Sequence, residues 1–159
     1  MPSISDIINN EIKTEGAPTN DSNDKGGPTA FGISKAANPE AWKNGAPTEA
    51  QARAIYQSKY VDQPGFNKIT DPQLQAQLVD YGVNSGPMIA IQKLQAILEV
   101  PVDGVLGPAT LVAIAASTLP LNNLLVVARI RMISKLVQAK PSDLKYLSGW
   151  LNRSLEFLK

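Results

Sequence analysis

Helix-start signals recur along this chain, and they constrain its fold more than any other feature. Ser3 or Ser5 can cap a first helix, in which Ile4, Ile8 and Ile12 recur at helical spacing. Six further starts carry a capping residue, a capping box or a first-turn proline, namely Asn38-Pro39, Thr48 to Gln51, Asp71-Pro72, Gly86-Pro87, Gly107-Pro108 and Asn122 or Asn123. The expected ends of the longer helices are near Glu15, Val61, Asn84, Leu98, Ser117, Ala139 and Leu158. Only residues 31–34 suggest a short ribbon, so the sequence predicts a mostly α protein with a small Gly-rich loop or β-hairpin.

We expect the chain to divide near Ser85-Gly86-Pro87. Residues 1–86 would form a catalytic lobe and residues 87–159 a second helical lobe. A chain of 159 residues supports one full hydrophobic core more readily than two. We therefore expect the two lobes to pack as one unit.

The chain contains no histidine and no cysteine. This excludes Ser-His-Asp and Cys-His catalysis, disulfides and the usual zinc and iron–sulfur sites. We expect no cofactor and no metal. Catalysis would have to rest on other groups, and carboxylates alone can run acid–base chemistry on a glycosidic bond.

A loop rich in Gly and Asn follows Glu15, with Asp24 nine residues later and Thr29 fourteen residues later. Glu15 lies three positions after Ile12, so the helical spacing places it on the buried stripe. A general acid must stay protonated near neutrality, which poor solvation favours, and Glu15 at the edge of a cleft would meet that condition. Asp24 could then position water or stabilise the transition state, and Thr29 could orient that water.

The residues of this loop do not match two known ligand-binding patterns. A calcium loop beginning at Asp21 fails, because Lys25 and Gly32 stand where oxygen ligands are required. A phosphate-binding loop fails, because no Gly-Lys-Ser/Thr follows the glycines. A capped helix followed by a solvated polar turn remains open.

Two pairs of residues share helix faces downstream. Asp80 and Asn84 could support Glu15 or bind an N-acetyl group, or Asn84 could simply close its helix. Tyr56 and Tyr60 could stack on sugar rings or pack in the core. Both interpretations of each pair stay open.

The net charge of +1 is unevenly distributed, since residues 122–159 carry seven basic and two acidic side chains. Arg129, Arg131 and Lys135 would suit contact with an outer membrane or wall polymer, or they could line solvated faces. A nucleic-acid partner is disfavoured, because basic and aromatic residues are not interleaved. No signal peptide and no stretch of about 20 apolar residues is evident.

The segment from Glu15-Gly16 to Asp24-Lys-Gly-Gly-Pro-Thr-Ala-Phe-Gly-Ile33 resembles the signature of glycoside hydrolase family 108, a family of lysozyme-like N-acetylmuramidases. The resemblance continues through residues 52–60 and through Asp80-Tyr-Gly-Val-Asn-Ser-Gly86. Residues 94–110 and 149–153 resemble the peptidoglycan-binding-like segment that accompanies these enzymes. Ala17-Pro18 stands where the family has Gly-Tyr, and Val61 where relatives often carry Trp.

The resemblance implies a lysozyme-like, two-lobed fold that cleaves the β-1,4 bond between N-acetylmuramic acid and N-acetylglucosamine. It implies Glu15 as acid, Asp24 and Thr29 as its partners, and bacterial peptidoglycan as substrate. A phage endolysin, monomeric and held in the host cytoplasm until release through a holin pore, is the expected setting. A secreted bacterial effector would look the same. The alternatives are a lytic transglycosylase, a non-catalytic wall-binding protein and a membrane-disrupting protein.

Overall fold

The computed structural model describes residues 2–16 and 28–158. Within these ranges the chain forms seven α-helices and one two-stranded antiparallel hairpin, which confirms the mostly α prediction. In chain order the elements are α1 Ile4–Glu15, β1 Thr29–Ala30, β2 Ile33–Ser34, α2 Glu49–Gln57, α3 Pro72–Ser85, α4 Pro87–Ile97, α5 Pro108–Ala116, α6 Leu121–Ala139 and α7 Leu147–Leu155.

Side-chain caps fix the starts of three of these helices. The Ser3 hydroxyl accepts a hydrogen bond from the Asp6 amide at 3.1 Å, and the Asp6 carboxylate accepts one from the Ser3 amide at 2.9 Å. Thr48 and Gln51 form the same reciprocal capping box at the start of α2. Asp71 caps α3 by accepting two backbone N–H groups. Each such cap contributes about 1 kcal/mol to stability, so these predicted starts have a local cause.

Three boundaries differ from the prediction. After α2, residues Ser58–Asp62 continue as a single π-helical turn, in which the Gln63 amide donates to the Ser58 carbonyl at 2.9 Å. The long helix α6 begins at Leu121 with Pro120 at its N-cap, so the prediction that Asn122 or Asn123 caps it is wrong. The last helix ends at Leu155, earlier than expected, and a 3-10 segment precedes it.

Two apolar clusters hold the helices together. The main core collects buried side chains from α3, α4 and α6, and it includes Ile7 of α1 and Phe157 near the C-terminus. A second cluster joins α1, the hairpin and α2, with Ile12, Ile33 and Tyr56 among its buried members. Burying one large apolar side chain stabilises a fold by about 1.5–3 kcal/mol. The main core therefore ties together segments on both sides of Gly86, while the division of the chain at that residue stays a prediction.

Within the residues described, no single helix has the length and apolar character needed to cross a membrane. Helices α5 and α6 pass that test only as a pair, and they are bent by 117° relative to each other.

Candidate active site

Glu15 is the last residue of α1, and its side chain is exposed. The buried stripe of this helix consists of Ile7, Ile8 and Ile12 and ends there. The prediction that Glu15 belongs to the buried face is therefore wrong. Helical spacing carries the stripe to position 15, but the chain leaves the helix at Gly16, which has φ +65°. The carboxyl group is free to meet a ligand rather than to pack.

The hairpin is attached directly to this end of α1. The Phe31 amide donates a hydrogen bond to the Gly16 carbonyl at 3.0 Å. Phe31 and Gly32 form the two-residue turn, with φ of +52° and +77°. Two positive φ values match the right-handed twist of a hairpin, and a non-glycine residue such as Phe31 pays about 1–2 kcal/mol for its value. Strain of this kind is often retained at functional sites.

Gly32 brings the hairpin, Glu15 and Tyr56 into one small space. A Cβ atom on Gly32 would lie 2.3 Å from the Tyr56 hydroxyl oxygen and 3.1 Å from Cγ of Glu15. No real Cβ sits that close to an oxygen, so only glycine fits without movement. The hydroxyl of Tyr56 and the side chain of Glu15 therefore lie close to each other, on the side of the turn where a Gly32 side chain would stand.

Tyr56 itself is almost fully buried, and its ring stacks on that of Tyr60 with centroids 5.7 Å apart. Burial raises the pKa of the Tyr56 phenol, and the charges of Glu11 and Glu15 add to the effect. Burial also raises the pKa of Tyr60. Tyr56 therefore stays protonated and keeps an O–H donor beside Glu15. Its ring packs in the core, whereas Tyr60 is half-buried.

Thr29 lies in β1, paired with Ser34 of β2. Successive strand residues point to opposite faces, so these two share the face opposite the buried Ala30 and Ile33. Thr29 is half-buried on that outer face of the hairpin. Asp24, its predicted partner, lies outside the described residues.

Asp80 is placed in the interior rather than beside a ligand. It is 3% exposed, and its carboxylate binds Arg129 at 2.6 Å and Arg153 at 2.7 Å. Arg153 also binds Glu11 at 2.5 Å. This network joins α1, α3, α6 and α7, and both carboxylate oxygens of the buried Asp80 are paired with arginines. The expectation that Arg129 faces a membrane or the wall is wrong, because Arg129 is buried in this ion pair.

Asn84 is exposed and donates to the Asp80 carbonyl at 2.7 Å. It also lines a cavity of about 120 Å³ together with Trp150 and Arg153. Sequence reasoning did not find Glu11, although it lies one helical turn before Glu15. Glu11 lies on the same helix as Glu15 and is paired with Arg153, which lines this cavity.

Within residues 2–16 and 28–158, no group of three or more acidic side chains is arranged to hold a metal ion. The chemistry available at the described part of the site is therefore that of one exposed carboxyl group, Glu15. It stands beside a phenol donor and under a tightly packed turn. Such a site suits proton transfer from Glu15 to a ligand in contact with it.

Two family models and a solved structure are similar to this chain. Residues 8–86 match the family model described as Glycosyl hydrolase 108, and residues 89–155 match the model described as Predicted Peptidoglycan domain. The solved structure of Brucella abortus SagA is similar over 97% of this chain and 94% of that chain, with a TM-score of 0.70 and 25% sequence identity. None of the curated proteins is similar enough in sequence to count as a relative.

The seven candidate site residues all lie within the first matched segment. The likeness to the Brucella structure confirms the mostly α, lysozyme-like fold. The matched family confirms the resemblance read from the sequence. Residues 8–86 belong to the glycosyl hydrolase 108 family, and a peptidoglycan domain follows them at residues 89–155.

Proposed function

We propose that this protein is an N-acetylmuramidase, which hydrolyses the β-1,4 bond between N-acetylmuramic acid and N-acetylglucosamine with Glu15 as the general acid. The coarser function, a glycoside hydrolase acting on peptidoglycan, follows from the two family matches. The observation that supports the finer proposal is the placement of Glu15. It is an exposed carboxyl group held at a helix end, against the Gly32 turn and the Tyr56 hydroxyl.

In the proposed reaction Glu15 gives its proton to the glycosidic oxygen, and the bond between that oxygen and the anomeric carbon breaks. A water molecule then bonds to the anomeric carbon and gives its proton to a carboxylate. Asp24 and Thr29 are the proposed partners that position this water. Because Glu15 is exposed, the bound polysaccharide itself is the group that would exclude water from this carboxyl group in the proposed reaction.

The tyrosines divide into two proposed roles. Tyr56 is a positioning residue, because its ring is buried while its hydroxyl lies beside Glu15. Half-buried Tyr60 and exposed Asn84 are proposed to contact sugar at the edge of the site. Asp80 supports the helices through its arginines and is not included in the substrate contact.

The test is product analysis of purified peptidoglycan treated with wild type, Glu15→Gln and Glu40→Gln. Glu40 is a matched control, since it is an exposed carboxylate paired with Lys43 far along the chain from Glu15. We expect wild type and Glu40→Gln to release fragments with reducing N-acetylmuramic acid ends, and Glu15→Gln to release almost none. Undiminished release by Glu15→Gln would refute the assignment of Glu15.

The same experiment separates the alternatives. Anhydro sugar ends, lighter by one water, would identify a lytic transglycosylase. An intact wall would identify a binding protein. The proposed setting, a phage endolysin held in the host cytoplasm until holin-type release, is tested by fractionating producing cells before and after pore formation.

A further inference from the structure

We infer that the cleft between α4 and α6 is a peptidoglycan-binding site separate from the catalytic one, and that it takes the carboxylate groups of the peptide stems. Three cations, Lys93, Arg131 and Lys135, surround this basic cleft. Its volume is about 350 Å³, and its remaining lining is apolar, consisting of Ala96, Ile97, Ala128 and Met132. The inference rests on the proposed function, because it gives the wall substrate a second point of attachment.

The charges of the basic cleft are not compensated within the described part of the chain. No acidic side chain lines the cleft, and none of its three cations forms an ion pair with a described residue. Three other C-terminal cations do have acidic partners, namely Arg129, Lys140 and Arg153. Arg131 and Lys135 stand four residues apart on one helix face, where like charges destabilise a helix. An external anion would relieve that repulsion.

The shape and lining of the cleft favour a peptide carboxylate. Peptide stems of peptidoglycan carry free carboxylates beside the methyl groups of alanine, which suit cations around an apolar floor. The cleft also lies entirely within residues 89–155, the segment that matches the peptidoglycan domain. An anionic membrane presents a broad surface instead, which would not enter a recess with an apolar floor as a peptide stem can.

The basic cleft and the site of Glu15 share no lining residue and lie on different helices. Binding at both would raise the effective concentration of the glycan at Glu15 without adding any contact there. Loss of the cleft should therefore weaken attachment to the intact wall while leaving cleavage of short, peptide-free glycan fragments unchanged.

The experiment compares wild type with Arg131→Gln/Lys135→Gln by co-sedimentation with purified sacculi at 4 °C within minutes, so that digestion does not interfere. Lys43→Gln/Lys68→Gln removes the same charge from exposed positions outside the cleft. Arg131→Lys/Lys135→Arg preserves the charge. We expect about a tenfold loss of affinity for the first variant and less than about twofold for the other two.

Two further arms identify the ligand. On sacculi stripped of peptides by an amidase, wild type should bind as weakly as Arg131→Gln/Lys135→Gln does on intact sacculi. Equal binding of wild type to stripped and intact sacculi would overturn the inference, as would full binding by the double variant. A loss confined to vesicles of anionic lipid would also overturn it, in favour of a membrane.

These results are independent of catalysis. If product analysis shows no cleaved glycan while the binding pattern holds, the proposed function fails and the assignment of the cleft stands. If glycan is cleaved and the double variant binds normally, the assignment of the cleft fails alone. Circular dichroism melts of all variants should coincide with that of wild type, which would show that the exposed substitutions leave the fold intact.

Discussion

Replacing Gly32 with alanine tests whether the hairpin turn, Glu15 and Tyr56 are packed as closely as the structure indicates. The new Cβ atom would lie 2.3 Å from the Tyr56 hydroxyl oxygen. Tyr56 is buried and cannot swing aside freely, whereas the exposed Glu15 side chain can. The alanine would also have to adopt φ near +77°. Both effects act on the folded state and add.

The magnitude follows from these two terms. A left-handed φ costs alanine about 1–2 kcal/mol, and overpacking a buried site costs about 1–3 kcal/mol. Gly32→Ala should therefore lower the free energy of unfolding by about 2–5 kcal/mol. For a chain of this size, that corresponds to a fall in melting temperature of about 5–20 °C. Displacement of Glu15 should also reduce peptidoglycan clearance by at least about tenfold at temperatures where the variant is folded.

Gly65→Ala is the matched control, because Gly65 has φ +80° but only ordinary contacts, the nearest at 3.8 Å. Its free energy of unfolding should fall only by the cost of a left-handed φ for alanine, about 1–2 kcal/mol. In urea melts, adding Tyr56→Phe to Gly32→Ala should restore most of the difference in stability between Gly32→Ala and Gly65→Ala, because it removes the clashing oxygen. Equal losses for the two glycine variants, or no recovery by Tyr56→Phe, would refute the close packing.

Two further predictions concern buried ionisable groups. Asp80→Asn should lower the free energy of unfolding by about 3–5 kcal/mol in urea melts, because it leaves the buried Arg129 and the partly buried Arg153 without their shared carboxylate. Burial raises the pKa of Tyr81 to about 12, so the folded state keeps a proton that the unfolded state loses near pH 10. The free energy of unfolding of wild type should therefore fall by about 2–3 kcal/mol relative to Tyr81→Phe as pH rises from about 10 to about 12, and not below that range.

Each of these has its own check. Glu40→Gln breaks an exposed ion pair and should cost less than about 1 kcal/mol, so a similar loss in Asp80→Asn would contradict the buried network. For Tyr81, parallel pH profiles of wild type and Tyr81→Phe would show that the phenol is not protected by folding.

Local sequence signals account for much of the fold. The capping boxes at Ser3 and Thr48 and the cap at Asp71 act within a few residues, so their helices begin where the sequence indicates. The start of α6 was predicted wrongly, because tertiary contacts and not a local cap determine it. Asn122 is a good capping residue by type, but it is buried inside the first turn by its tertiary surroundings.

The candidate site residues were named from the sequence, and their roles stay predictions. The Gly-rich composition of residues 16–34 predicted a structured loop or a short hairpin, and residues 29–34 form such a hairpin. Helical spacing predicted a buried Glu15, but Glu15 is exposed. Spacing shows which residues share a helix face, and it does not show how far along the helix other elements cover that face. The pairing of Asp80 with Arg129 and Arg153 spans 49 and 73 residues, a separation at which sequence spacing carries no information.

The network of Glu11, Asp80, Arg129 and Arg153 bears on how such chains evolve. Glu11 and Asp80 lie in the segment that matches the hydrolase family, while both arginines lie in the segment that matches the peptidoglycan domain. Exchange of either segment for an unrelated one would leave two charges of like sign without partners, one of them buried and the other partly buried. A graft of either segment should therefore keep the fold stable only when it carries the matching half of this charge pattern with it.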